Sequence, residues 1–183
     1  MKKIWKFLST VIAVNIFRFM RIFPNNDPIL GVMLPTARVE SIWKSILFVF
    51  VTMASFDLIT GSVGIWTIVT SLVYSFVALL AGLLIRKIKD INLLHYSGFS
   101  LLSVLVFDFI TGPVMSSMLF NMPFMASLSG QIPFTLLHLM SGLVYTALFC
   151  PVLDPDINQE YNVLKHVSSF FKYVAEKTKL VNK

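Results

Sequence analysis

Two stretches of this sequence, Ile65–Ile85 and Ile132–Leu153, contain no Asp, Glu, Lys or Arg. Each is long enough to cross a bilayer core of about 30 Å, which takes roughly 20 helical residues. The rest of the chain agrees: 56% of its 183 residues are hydrophobic and only 13% are charged, with a mean hydropathy of +0.80. A soluble domain of this length needs far more surface charge. The expectation is an all-α integral membrane protein.

The start, "MKKIWKFLSTVIAVNIF", has the basic beginning and short apolar core of a signal peptide. Arg18 and Arg21 follow without a small-x-small cleavage pattern before them, so it reads as an uncleaved first helix. The single cysteine, Cys150, offers no disulfide framework. A net charge of +6 could suggest nucleic acid as a partner. The basic residues flank the apolar runs instead, where membrane proteins put them, so no nucleic-acid partner is expected.

Helix 1 is expected at about Lys3–Phe23, with Asn15 facing protein. "FPNNDP" (Phe23–Pro28) is dense in turn formers. The short apolar piece Ile29–Ala37 reads as a short or re-entrant helix, tolerable in a bilayer only if protein covers its backbone. Further spans are expected at Val39–Thr60, Gly64–Ile85, Asn92–Thr111 and Ile132–Leu153, with Pro113–Gln131 a Met- and Phe-rich loop or partial helix.

Basic residues orient such a bundle, because they concentrate on the cytoplasmic side. Lys2, Lys3 and Lys6 place the N-terminus inside, and "RKIKD" (Arg86–Asp90) marks an inner loop. Lys165, Lys172, Lys177 and Lys179 place the C-terminus inside too. Two cytoplasmic termini need an even number of crossings, so Ile29–Ala37 counts as a short second helix and the total is six transmembrane helices. Arg38 and Lys44 then fall inside, as the rule prefers, whereas Arg18 and Arg21 lie toward the outer end and count against it. Residues 1–153 form the expected transmembrane domain and 154–183 a cytoplasmic tail. Within that tail Val163, Leu164, Val167, Phe170, Phe171 and Val174 recur at helical spacing opposite lysines, as in an amphipathic helix on the inner leaflet. The protein is expected in the cell membrane, multi-pass.

"FDLITGSVG" (Phe56–Gly64) returns as "FDFITGPVM" (Phe107–Met115), with six of the first eight positions identical. Part of the repeat reads as helix punctuation. Gly61 and Gly112 suit a left-handed residue that ends a helix, and Pro113 suits the first turn of the next one, with Thr111 or Gly112 near its cap. The aspartates fit that reading badly. A carboxylate in a last helical turn opposes the macrodipole at a cost of roughly 0.3–1 kcal/mol, and in apolar surroundings it needs a partner. Asp57 and Asp108 therefore stand between structure and a ligand site.

Under this topology "FPNNDP", both FDxITG turns and "SGQIPF" meet on the outer face. The candidate substrate-binding residues are Asn25, Asn26, Asp27, Asp57, Thr60, Trp66, Asp108, Thr111, Asn121, Gln131, Phe134 and His138. Asn25, Asn26 and Asp27 exceed what one turn needs. Trp66 also fits an interface anchor, and His138 also fits a buried, hydrogen-bonded histidine, although a histidine inside a membrane span is a functional candidate by default. No Walker motif, HExxH or Cys/His cluster occurs, so no ATPase activity, metal or cofactor is expected. An intramembrane aspartyl protease, with two carboxylates sharing a proton, is a remote alternative, since that family's YD and GxGD motifs are missing.

The stretches "FPNNDPILGVMLPTAR", "SFDLITGSVGIWTIVTSLVY", "GLLIRKI" and "FDFITGPV…GQIPFTLLHLMSGLVYTALFCPVL" together resemble the substrate-binding S-components of energy-coupling factor transporters over most of Phe23–Leu153. The resemblance implies a six-helix subunit without enzymatic activity that captures a vitamin-like small molecule at the extracellular face. It implies as partners a transmembrane coupling subunit and a pair of ATPases, with the S-component toppling in the membrane to release its substrate inside. Family members often carry alanines four apart on helix 1 to dock the coupling subunit; the nearest match here is Ser9-x-x-x-Ala13. Cobalt and nickel members have a histidine after the initiator methionine, where this chain has Lys2 and Lys3, so a metal-ion substrate is disfavoured. Asp27, Asp57 and Asp108 on one face favour a cationic or donor-rich substrate, and Trp66, Phe120 and Phe134 could stack on a planar ring. The alternative is a small polytopic protein that forms a bundle or oligomer without transport.

Overall fold

The computed structural model describes residues 2–22 and 25–157. The amphipathic tail expected beyond residue 157 lies outside the described residues. Seven α-helices occur among the described residues: α1 (Lys2–Met20), α2 (Ile29–Pro35), α3 (Ile42–Thr60), α4 (Ile65–Ile85), α5 (Leu93–Phe109), α6 (Met115–Phe120) and α7 (Phe124–Leu153). Two π-helical turns join them, Thr36–Glu40 after α2 and Ile110–Val114 between α5 and α6. Among the described residues four segments are long and apolar enough to cross a membrane: Ile42–Thr60, Ile65–Ile85, Leu93–Phe120 and Phe124–Leu153.

The packing is that of a bundle made for an apolar solvent. Large side chains such as Trp43 (75% exposed) and Leu94 (79%) point outward. Small hydroxyl residues, among them Ser45, Thr52, Ser71, Ser100 and Thr146, are buried between helices. Without a hydrophobic drive between apolar helices in lipid, close packing of small residues and hydrogen bonds hold them together. Ser45 Oγ donates to Met33 O at 2.8 Å across the α2–α3 contact, and Asn15 Nδ2 donates to Ser55 Oγ at 2.9 Å across α1–α3.

All seven residues of α2 are buried, so its backbone is covered as a short helix in this setting requires. It lies against α7, where Gly31 allows a very close approach: a Cβ there would sit 2.4 Å from Tyr145 O.

The helix ends fall into two groups. At one end the Lys6–Glu40 ion pair (3.2 Å) joins the start of α1 to the segment entering α3, and Glu40 also holds Lys44 at 2.8 Å. Lys44, then burial, then Lys6 set the Glu40 carboxyl, which titrates below its ordinary value because the two lysines outweigh the burial. Arg38 bridges Asp154 (2.8 Å) and Asp156 (2.7 Å), and Tyr96 Oη donates to the same Asp154 carboxylate at 2.5 Å. Asp154 and Ile157 are fully buried, so the bundle extends past the expected boundary at residue 153. At the opposite end Arg18 lies over the Phe56 ring at 4.0 Å, so α1 and α3 run parallel.

The two copies of the repeat fold differently. In the first, Gly61 has φ 70° and ends α3 with its N–H on the Asp57 and Leu58 carbonyls, as the punctuation reading expects. In the second, no residue of the turn is left-handed: the chain winds through the π turn Ile110–Val114, with Pro113 inside it, and continues into α6. The expectation that Gly112 ends a helix is therefore corrected. Gly112 is instead a contact residue, where a Cβ would stand 2.5 Å from Gln131 Oε1. Proline lacks an N–H and crowds the preceding turn, and the wider π turn accommodates it. The helical hairpin is closed at Asn121, left-handed at φ 52°. The last helix starts at Phe124, earlier than the expected Ile132, and carries Pro133 in its interior.

Candidate functional site

A cavity of about 630 Å³ opens at the bundle end where α1 and α3 finish. Five parts of the chain wall it. The end of α1 and its exit supply Arg18, Arg21, Asn25, Asn26 and Asp27, α3 supplies Met53 and Phe56, and α4 supplies Tyr74. Phe107 comes from α5, and Phe134 and His138 from α7. The volume is in the range of small-molecule sites, about 300–1,000 Å³.

Its floor is a buried polar network. Asp27 (7% exposed) accepts from Ile29 N at 3.0 Å through Oδ1. Its Oδ2 meets the Tyr74 hydroxyl and, at 2.9 Å, His138 Nε2. His138 Nδ1 faces Asp108 Oδ1 at 2.8 Å, so the imidazole is held between two carboxylates from different elements. A ring with N–H donors on both nitrogens satisfies both contacts. Burial alone pushes the Asp27 carboxyl up, but the hydrogen bonds from His138 and Tyr74 and the nearby Arg18 guanidinium outweigh it, and it titrates below the ordinary carboxylate value.

The asparagines brace the connection between α1 and α2. Asn25, with φ 53°, donates from Nδ2 to Phe134 O at 2.8 Å, and its own carbonyl accepts from Ser141 Oγ at 2.6 Å. Asn26 donates to Phe17 O and accepts from Tyr145 Oη at 2.5 Å. The "NND" run thus crosslinks α1, α2 and α7 while presenting its side chains to the cavity.

The structure brings together Asn25, Asn26, Asp27, Phe134 and His138 at the cavity, with Asp108 directly behind His138. Other expected residues stand apart. Asp57 accepts from Thr67 Oγ1 at 2.7 Å and ties the end of α3 to the start of α4. Thr60 and Thr111 each bond a backbone carbonyl one turn back, Phe56 O at 2.9 Å and Phe107 O at 2.8 Å. Trp66 stacks on Phe120 with ring centroids 5.0 Å apart, so two of the three aromatics expected to hold a ring hold each other. Gln131 packs against Gly112, beside an apolar groove between α5 and α7 that Asp108 also lines. Asn121 is an exposed helix terminus.

In both copies of the repeat it is the phenylalanine, Phe56 or Phe107, that faces the cavity, while the aspartate one position on points elsewhere. That phenylalanine is identical in both copies, a signal present in the sequence. Arg18 and Arg21 had a signal too, since they are the basic residues that break the expected charge bias. Tyr74 had a weak one, as an aromatic that follows the first copy of the repeat on the outer side. Ser141 and Tyr145 had none, each being one hydroxyl in an apolar helix until the fold brings it to Asp27 or the asparagines.

Comparison with protein-family models, with curated proteins and with solved structures finds no match to this chain.

Proposed function

We propose that the protein is the substrate-capture subunit of an ATP-driven importer of the energy-coupling factor type, taking a vitamin-like small molecule from outside the cell membrane. In this reading it crosses the membrane six times, with both termini cytoplasmic, and docks on a transmembrane coupling subunit served by two ATPases. The observation that carries the reading is the 630 Å³ cavity, walled by aromatic and polar side chains at one end of an apolar bundle. Three further features support it. The cavity end is the one opposite Lys6, Arg38, Lys44 and Arg86, which charge bias assigns to the cytoplasm. Successive segments alternate in direction between the two ends, with the buried α2 and its π turn serving as the short second pass. Ser9 and Ala13 lie on the exposed side of α1 beside Ile12 and Ile16, open to a partner helix.

The protease alternative needs two carboxylates sharing a proton. The repeated aspartates bond separately, Asp57 to Thr67 and Asp108 to His138, which counts against it. Native mass spectrometry of protein purified from cells grown in rich medium tests the main reading. A stoichiometric small molecule is expected, together with a thermal shift from one member of a vitamin panel. No bound molecule and no shift from any vitamin would favour a bundle without transport.

A further inference from the structure

The cavity carries an imbalance between acceptors and donors. Both oxygens of its acid are engaged within the protein: Asp27 Oδ1 accepts from Ile29 N, and Oδ2 meets the Tyr74 hydroxyl and His138. Asp108 bonds His138 through Oδ1; its other oxygen is buried without a partner among the described residues, and the residue lines the neighbouring α5–α7 groove, not this cavity. Asp57 is bonded to Thr67 outside the cavity. A cationic molecule would find on the walls only a carboxylate already bonded at both oxygens.

Donors, in contrast, are left over. Arg18 makes no ion pair among the described residues, and its buried Nη1 has no hydrogen-bond partner among them. The Phe56 ring lies 4.0 Å from the guanidinium carbon and backs the fork on one side. Arg21 stands at the exposed rim, also without an ion pair among the described residues. A buried donor without a partner carries the full cost of lost hydration, and arginine near a membrane interior persists where it has a task. Guanidinium forks match planar oxyanions in two parallel hydrogen bonds. Beside them Phe107 and Phe134 offer flat apolar walls.

We propose that the cavity takes an anionic, planar small molecule, with its carboxylate or phosphate oxygens on Arg18 and Arg21 and its ring against Phe107 and Phe134. This rests on the cavity being the capture site, and it reverses the cationic preference expected from the aspartates.

The full chain in phosphatidylcholine nanodiscs is titrated with a matched set of probes that share one ring system: naphthoate, naphthyl phosphate, naphthamide and naphthylmethylamine. Naphthoate or naphthyl phosphate should bind saturably and about tenfold or more tighter than the amide and the amine. The tighter of the two anions identifies the group. Arg18→Gln should bring that anion down to the amide's affinity, with Arg18→Lys intermediate because it keeps charge without the fork. Arg21→Gln, at the exposed rim, should weaken it several-fold without touching the packed interior. Equal or tighter binding of the amide or amine, or anion binding indifferent to both glutamine substitutions, would overturn the proposal and leave the capture reading standing. Failure of every probe to bind would overturn the proposal, and native mass spectrometry of the same protein would then decide the capture reading separately. Loss of anion binding when phosphatidylglycerol is added would assign the arginines to lipid headgroups, and that too would overturn it.

Discussion

Asp57 and Asp108 occupy the same position of a repeated motif, yet they do different work. Asp57 is half-buried near a helix end and accepts one hydrogen bond from Thr67. Asp108 is 1% exposed and holds His138, which in turn holds Asp27 beneath the cavity. Asparagine at position 57 keeps an acceptor for Thr67, so Asp57→Asn should cost under about 1 kcal/mol of stability and leave ligand retention unchanged. Asparagine at 108 removes a charge from a buried charge-assisted contact and should cost about 1.5–3 kcal/mol while loosening the cavity floor. Thermal unfolding and native mass spectrometry of the two variants, side by side, check both. Equal effects on ligand retention would return the two aspartates to one role. The acid was conspicuous in the sequence because it is costly in apolar surroundings, but which neighbour satisfies it depends on residues as far along the chain as His138.

At the scale of elements, α2 shows how a segment too short to cross a bilayer by itself is accommodated. The piece Ile29–Ala37 was legible as apolar and as a short helix following the turn-rich "FPNNDP". The complete burial of α2 requires the neighbour α7 to come close, and Gly31 is what permits that. Gly31→Ala would drive a Cβ into the Tyr145 carbonyl, a backbone atom that has no side-chain freedom with which to yield. A loss of about 1–3 kcal/mol is expected, from overpacking alone. A lowered melting temperature in detergent is the check; an unchanged one would mean that α2 and α7 are not in this contact. The boundaries of α5 and α7 were less legible. Gly112 and Pro113 are ordinary helix-ending residues, and only packing against Gln131 shows that the chain passes through them as a π turn instead of stopping.

For the molecule as a whole, the two polar ends are the organising feature. One gathers Lys6, Arg38, Glu40, Lys44, Arg86 and Asp154; the other gathers the cavity. The proposed orientation predicts accessibility. Cys150, the only cysteine, is fully buried, so it leaves a silent background for labelling. On intact cells a membrane-impermeant maleimide should label Ser62→Cys, in the α3–α4 connection, and spare Asp90→Cys, in the α4–α5 connection. The reverse pattern would invert the protein and take the cavity to the inner face.

What the sequence determined by itself was the solvent and the skeleton. Long uncharged runs can satisfy their backbone only as helices in lipid, and that requirement is local to each run. Turn residues and basic flanks likewise act locally, so the apolar helical runs could be found by reading along the chain, although where α5 ends and α7 begins could not. The site was decided by the tertiary structure. Whether a carboxylate is free for a ligand or spent on a neighbour depends on groups brought together from α1 to α7, and no spacing rule encodes those meetings. Hence the aspartates drew attention in the sequence, while in the folded protein the acids are bonded internally and the arginines are left facing the cavity.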